Sequence, residues 1–261
     1  MSRSEFIVKG NCEPAGELAP GVILRVFAAG ALGAEDLTTC SATIAPNSGL
    51  PYHAHPTSEV ITAMVGTAEV LVEGRRYLLH PYDAIHVPAG VAHSVTNPLD
   101  EGEAILHTSF PTSKPDREFV EDTFELEDRE QTDESCPETL IRFTEAVVEF
   151  PLDGVEMRDL FAGRFGSQGV CGGHVGLQPG AALPCHTCQC DVSFTIVDGQ
   201  VISQTAGSEQ ELANFDSVCI PGGRPFRIIN RTDAPASLLW AYAADEPDRT
   251  DVDPARCDPV A

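Results

Sequence analysis

The sequence predicts an all-β chain built as two tandem copies of one sandwich or barrel. Three observations carry that reading: an internal repeat at constant offset, short apolar runs punctuated by turn formers, and no convincing amphipathic helix inside either copy. With 42% hydrophobic and 21% charged residues in 261 positions, the chain can bury a sizeable core.

The repeat is read by adding 133 to a residue number between 21 and 110; about twenty of the ninety positions then agree, without a gap. Gly21-Val22-x-x-Arg25 returns as Gly154-Val155-x-x-Arg158, and Ala29-Gly30-x-x-Gly33 as Ala162-Gly163-x-x-Gly166. Pro46, Leu50, Pro51, His53, Thr62, Gly66 and Gly74 match Pro179, Leu183, Pro184, His186, Thr195, Gly199 and Gly207. Asp83, Pro88, Gly90 and Asn97 match Asp216, Pro221, Gly223 and Asn230. Two copies of one fold follow.

Within the first copy the strands come in order. Val60 to Val65 ends at Gly66, and Ala68 to Glu73 ends at Gly74. Tyr77 to Leu79, Ala84 to Val87, His93 to Thr96 and Ala104 to Ser109 follow, separated by Gly, Pro, Asn or Asp. The sequence divides into residues 1–112 as the first barrel, 113–150 as an acidic linker, 151–244 as the second barrel and 245–261 as an acidic tail. The linker, flanked by Pro111, Pro115 and Pro137, reads as a solvated connection with at most one helical turn. The Asp- and Pro-rich tail is expected on the surface.

Forty acidic against sixteen basic residues give a net charge of −24, which disfavours nucleic acid and anionic membrane surfaces as partners. The longest apolar stretch, Gly21 to Ala34, is broken by Arg25 and is too short to cross a bilayer. The opening Met-Ser-Arg-Ser-Glu-Phe lacks a signal-peptide core, so a cytoplasmic protein is expected. Nine cysteines, an odd number at irregular spacing, then point to free thiols rather than a disulfide framework.

One constellation carries chemistry. The first copy contains Gly49-x3-His53-x-His55-x3-Glu59-x6-Gly66, and later Pro88-x-Gly90-x2-His93-x3-Asn97. Residues two apart on a strand face the same side, so His53 and His55 point together. Closure of a barrel would bring His93 beside them. Three imidazoles and the Glu59 carboxylate suit one divalent transition metal per chain, such as Fe, Mn, Ni, Co or Zn. In six-coordinate geometry that set leaves two positions for water, dioxygen or substrate.

These two segments resemble the paired signature motifs of the cupin superfamily, and the duplication resembles a bicupin. The resemblance covers residues 21–110 and 154–243. It implies two tandem jelly-roll β-barrels and a metal held by His53, His55, Glu59 and His93. One departure is Tyr82, which stands where the motif commonly has a glycine; it bears on a turn shape and not on the metal. In the second copy His53 maps to His186, but His55, Glu59 and His93 become Cys188, Val192 and Phe226. A degenerate, structural barrel is expected there. The alternatives are a repurposed thiolate site or reactive thiols among Cys185, Cys188 and Cys190.

The resemblance does not select a reaction. Ile61 and Ala63 are expected to wall the pocket, with His107 or His86 as a further proton-handling group. Few arginines (Arg25, Arg75 and Arg76) and no lysine lie in the first repeat, residues 21–110, which disfavours a phosphorylated substrate. The expected function is an Fe(II) dioxygenase-like oxidoreductase acting on a small enolisable or aromatic molecule, with Glu59 and His107 as catalytic residues. The alternatives are a metal-dependent isomerase, lyase or decarboxylase of the superfamily, or a non-catalytic small-ligand-binding cupin. A homodimer is expected.

Overall fold

Alternation sets the strands. Along Ala68–Val72 the side chains of Ala68, Val70 and Val72 are buried while Glu69 and Leu71 are half-exposed, the period of a strand with one face on a core. A computed structural model of the chain describes residues 3–10, 15–121, 123–205 and 207–258. Among them the helical content is confined to three short 3-10 turns, Gly30–Leu32, Gly163–Phe165 and Pro254–Arg256. The first two are 133 residues apart, and each ends on a left-handed glycine, Gly33 or Gly166.

The first barrel is a sandwich of two sheets. The larger runs Thr139–Ile141, Ala84–Val87, Glu59–Val65, Ala104–Phe110, Thr38–Ile44, Val22–Ala28 and Gly16–Ala19. The smaller runs Glu118–Phe119, Gly49–Ala54, His93–Thr96, Ala68–Val72, Arg75–Leu79 and Glu127–Asp128. Val22, Ile44, Ile61, Val70, Tyr77, Leu79, Ile85 and Leu106 fill the space between them. The second barrel repeats the plan around Val175, Leu177, Phe194, Phe226, Leu238 and Trp240. Both are jelly-roll barrels.

Glycine is required where the smaller sheet closes. A Cβ on Gly49 would lie 2.4 Å from the Val95 carbonyl oxygen and 2.6 Å from Thr96 Cγ2, so only glycine lets these two strands approach. Tyr82 behaves unlike its side chain suggests: it keeps the left-handed turn, at φ 71°, and Phe215 in the second copy does the same at φ 65°. The strain is offset by packing. Tyr82 stacks on Phe143 and His174, and its hydroxyl hydrogen-bonds Ser237 Oγ at 2.9 Å.

The barrels meet through the outer faces of their larger sheets. Leu37, Val60, Met64 and Ala84 of the first pack against Leu160, Phe161, Val170, Val197, Leu239 and Ala241 of the second. Thr39 and Ser193 hydroxyls pair across this seam at 3.1 Å.

Three segments are tied in more closely than composition suggested. Residues 113–150 form no helical turn among those described; instead four short strands pair with barrel strands. Within this segment Leu140 joins the core, and buried Glu138 takes hydrogen bonds from Arg75 at 2.7 Å and Tyr77 at 2.6 Å. The strand Phe6–Val8 pairs with Ser217–Ile220 and so extends the second barrel, not the first. The tail also returns to the fold: Thr250–Asp251 pairs with His186–Thr187, and buried Cys257 is disulfide-bonded to Cys185. The expectation of free thiols is corrected there, because the returning tail places two distant cysteines side by side. Among the described residues six other cysteines are free: Cys40, Cys136, Cys171, Cys188, Cys190 and Cys219. No helix among the described residues is long and apolar enough to cross a membrane.

Candidate metal centre

The site forms where the two sheets of the first barrel converge at one end. His53 lies on Gly49–Ala54 and pairs directly with His93 on the neighbouring strand His93–Thr96. Glu59 opens the strand Glu59–Val65 of the opposite sheet, and His55 sits in the short connection between. All four are buried, and one ligand atom from each lies within 4.8 Å of the other three. The ring centroids of His53 and His93 are 4.3 Å apart, and those of His53 and His55 5.0 Å apart.

Backbone carbonyls orient every imidazole. Nδ1 of His53 bonds the Pro51 oxygen at 2.8 Å, Nδ1 of His55 the Asp116 oxygen at 2.5 Å, and Nδ1 of His93 the Val91 oxygen at 3.1 Å. A carbonyl can only accept, so each Nδ1 carries the proton and each neutral ring keeps its lone pair on Nε2. The Nε2 atoms of His93 and His55 face Glu59 Oε2 at 2.8 and 3.1 Å. Lone pairs set against a buried carboxylate need a positive charge between them. The donor set therefore fits a divalent cation.

The electrostatics agree. Without the cation, burial would raise the Glu59 pKa, but a proton on Nε2 of His55 or His93 in the cation's place outweighs burial and holds the carboxyl well below its usual range. Burial, together with the nearby His93, presses His53 down to about 4 and favours its neutral, ligating form. At His55 burial acts downward too, yet the bonded Glu59 carboxylate prevails and raises it.

A cavity opens from this cluster. Its volume is about 90 Å³. Leu18, Val22, Leu50, Ile61, Leu106 and Phe110 make most of its wall, with Cys40, Thr108 and Arg117 as the polar contributions beside Asp116 and the ligands. Ile61 lines the cavity as expected, whereas Ala63 lies in the barrel core without reaching it. Burial pushes the Cys40 thiol up to about 12, although a hydrogen bond with Thr108 opposes the shift.

His107 does not join the site, which corrects its expected catalytic placement. On Ala104–Phe110 the even-numbered Leu106, Thr108 and Phe110 face the cavity, so His107 points outward into the seam. There Nε2 lies 3.2 Å from Thr195 Oγ1 of the second barrel. His86 is likewise buried on the outer face, paired in register with Val60 and Thr139, and neither ring nitrogen has a hydrogen-bond partner. Sequence reasoning missed Asp116 and Arg117, because only the pairing of Glu118–Phe119 with Ala54 and His53 brings that segment to the site.

The second barrel holds no equivalent cluster among its described residues. His186 keeps the same Nδ1 contact, to the Pro184 oxygen at 2.8 Å, but its ring packs 4.2 Å from Phe226. Val192 and Cys188 sit in the apolar core, and burial pushes the Cys188 thiol up to about 12. Such a thiol stays protonated, which disfavours a thiolate metal site.

Two jelly-roll barrels, one carrying a three-histidine, one-glutamate cluster and the other packed shut, define a metal-binding bicupin. The chain belongs to the cupin family: the cupin domain matches it twice, at residues 41–110 and 173–242. A comparison with curated protein sequences finds no match. Among solved structures the chain is similar to oxalate decarboxylase from Bacillus subtilis at pH 4.6, with a TM-score of 0.76, 15% identity, and coverage of 97% of this chain and 79% of that one. It is also similar to Lactobacillus farciminis oxalate decarboxylase in its formate complex, at TM-score 0.77, 14% identity, and coverage of 97% and 89%. A further Bacillus subtilis oxalate decarboxylase structure, described by its Mn(II) centres, aligns at TM-score 0.74 and 15% identity over 97% of this chain and 80% of that one. At these identities the likeness is one of fold.

Proposed function

We propose that the first barrel is a mononuclear metal centre that cleaves a carbon–carbon bond in a small organic acid, a lyase of the decarboxylase type. The observation that carries this reading is the convergence of His53, His55, Glu59 and His93 at the base of an open, largely apolar cavity. The fold shared with Mn(II)-containing oxalate decarboxylases supports it over an oxygenase. His53, His55 and His93 would hold the cation through Nε2, and Glu59 would supply the single negative ligand. A bound divalent ion supplies a Lewis acid able to take up negative charge on a substrate oxygen while carbon dioxide leaves.

The rest falls to the chain. Apolar walls exclude water from the reacting carbon and strengthen local electrostatics. Among the described residues Glu59 is the one buried carboxylate lining the cavity, so it is the group placed to hold or return a substrate proton. Manganese is the favoured ion in this reading, with iron as the competitor. A second reading, an Fe(II) dioxygenase for an enolisable substrate, draws on the same apolar walls.

Carbon dioxide release from a panel of 3-oxo acids, measured under argon with metal-defined protein, separates them. Release without oxygen that disappears in His93→Ala is expected. Turnover that requires oxygen would replace the lyase with the dioxygenase.

A further inference from the structure

Among the described residues, the segment joining the barrels contributes the only cationic side chain that lines the metal cavity. Arg117 lies beside Leu18, Leu50 and Phe110, close enough for its charge to lower both the Cys40 thiol and the His55 ring against the other influences on them. Its Nη1 is shut off from solvent and has no hydrogen-bond partner. Among the described residues no carboxylate forms an ion pair with it. The adjacent Asp116 is turned to the main chain: its Oδ1 accepts from the Arg117 backbone N–H at 2.8 Å, and its carbonyl is held by His55. A guanidinium nitrogen withdrawn from water without an acceptor is costly, and a planar anion in the cavity would repay it.

We propose that Arg117 is a substrate-binding residue, and that it selects small monocarboxylates with an apolar body. The proposal rests on the first barrel being the reactive site. Charge supports the anion: a divalent ion with one carboxylate ligand leaves one net positive charge, Arg117 adds a second, and the exposed Asp116 removes one, so the lining stays net positive. Shape and polarity support the apolar body. Leu18, Val22, Leu50, Ile61, Leu106 and Phe110 offer nothing to a second carboxylate but bury hydrocarbon well. Specificity is thus delivered by a segment that lies between the two repeats and pairs onto the first barrel. It is aimed by two anchors, the Glu118–Phe119 strand pairing and the bond between His55 and the Asp116 carbonyl.

Isothermal titration of the full-length, Mn-loaded protein with benzoate, acetate and benzamide tests this. Benzoate should bind at least about tenfold more tightly than acetate, through the walls, and than benzamide, through the charge. Arg117→Gln should weaken benzoate by about tenfold to a hundredfold while keeping metal near one per chain, and Arg117→Lys should restore part of the loss. No benzoate binding to the wild type, equal affinities for acetate and benzoate, or an unchanged Arg117→Gln would overturn the proposal. The lyase reading fails separately. Arg117-dependent benzoate binding without carbon dioxide release from any acid removes the lyase and keeps the anchor; release with the same KM in Arg117→Gln removes the anchor and keeps the lyase.

Discussion

At the residue scale the metal centre rests on three carbonyl oxygens as much as on its four ligands. Pro51, Val91 and Asp116 each fix a ring so that Nε2 faces inward. The histidine–glutamate spacing was legible in the sequence because the strand period and the motif glycines reveal it. The third carbonyl was not, since Asp116 lies outside either repeat and meets His55 only after folding. His107 misled for a simple reason: its strand was evident, but which face looked inward was settled by the alternation of Leu106, Thr108 and Phe110. Elemental analysis checks the ligand assignment. His53→Ala or His93→Ala should take metal content from near one per chain to near zero, and His186→Ala should leave it unchanged. Loss of metal in His186→Ala would relocate the site.

At the element scale, the strands between Glu59 and Phe110 were read from their apolar runs, whereas Val22–Ala28, Thr38–Ile44 and the short strands in polar segments were not. Glu118–Phe119, Glu127–Asp128 and Thr250–Asp251 are two residues each, too brief to show a period, and each is defined by the edge it joins. The tail is the clearest case. Val252 N–H donates to the Cys185 carbonyl at 2.9 Å, and the Cys185–Cys257 bridge closes a separation of 72 residues. Such a cross-link typically contributes about 2–4 kcal/mol by restricting the unfolded chain. Thermal melts of the wild type should therefore fall when reductant is added, and Cys257→Ser should melt low in either condition. Identical wild-type melts with and without reductant would show that the bridge contributes nothing.

At the scale of the whole molecule the seam between barrels is lined by buried imidazoles. Burial alone holds His86 and His107 near 4, and burial aided by the charge of Arg158 does the same to His174. In the unfolded chain each takes its proton near 6.5, so between 6.5 and about 4 the unfolded state binds more protons. Stability is complete above 6.5 and is lost as the pH falls through that window, by on the order of 2–3 kcal/mol per ring. The net charge of −24 pulls the other way, since protonating carboxylates relieves repulsion. Comparing wild type with His86→Leu isolates the ring: the variant should lose less melting temperature between about pH 7.5 and about pH 5. Parallel slopes would refute the assignment.

The pairing of Phe6–Val8 with Ser217–Ile220 also orders events during synthesis. A ribosome makes that early strand roughly two hundred residues before its partner, at a rate of about 5–20 residues per second. The leading segment must therefore wait some tens of seconds, unpaired, until the second barrel emerges and takes it in. Completion of the later-made half depends on a strand translated ahead of the first barrel's core, so severing the two halves leaves the downstream one short of an edge.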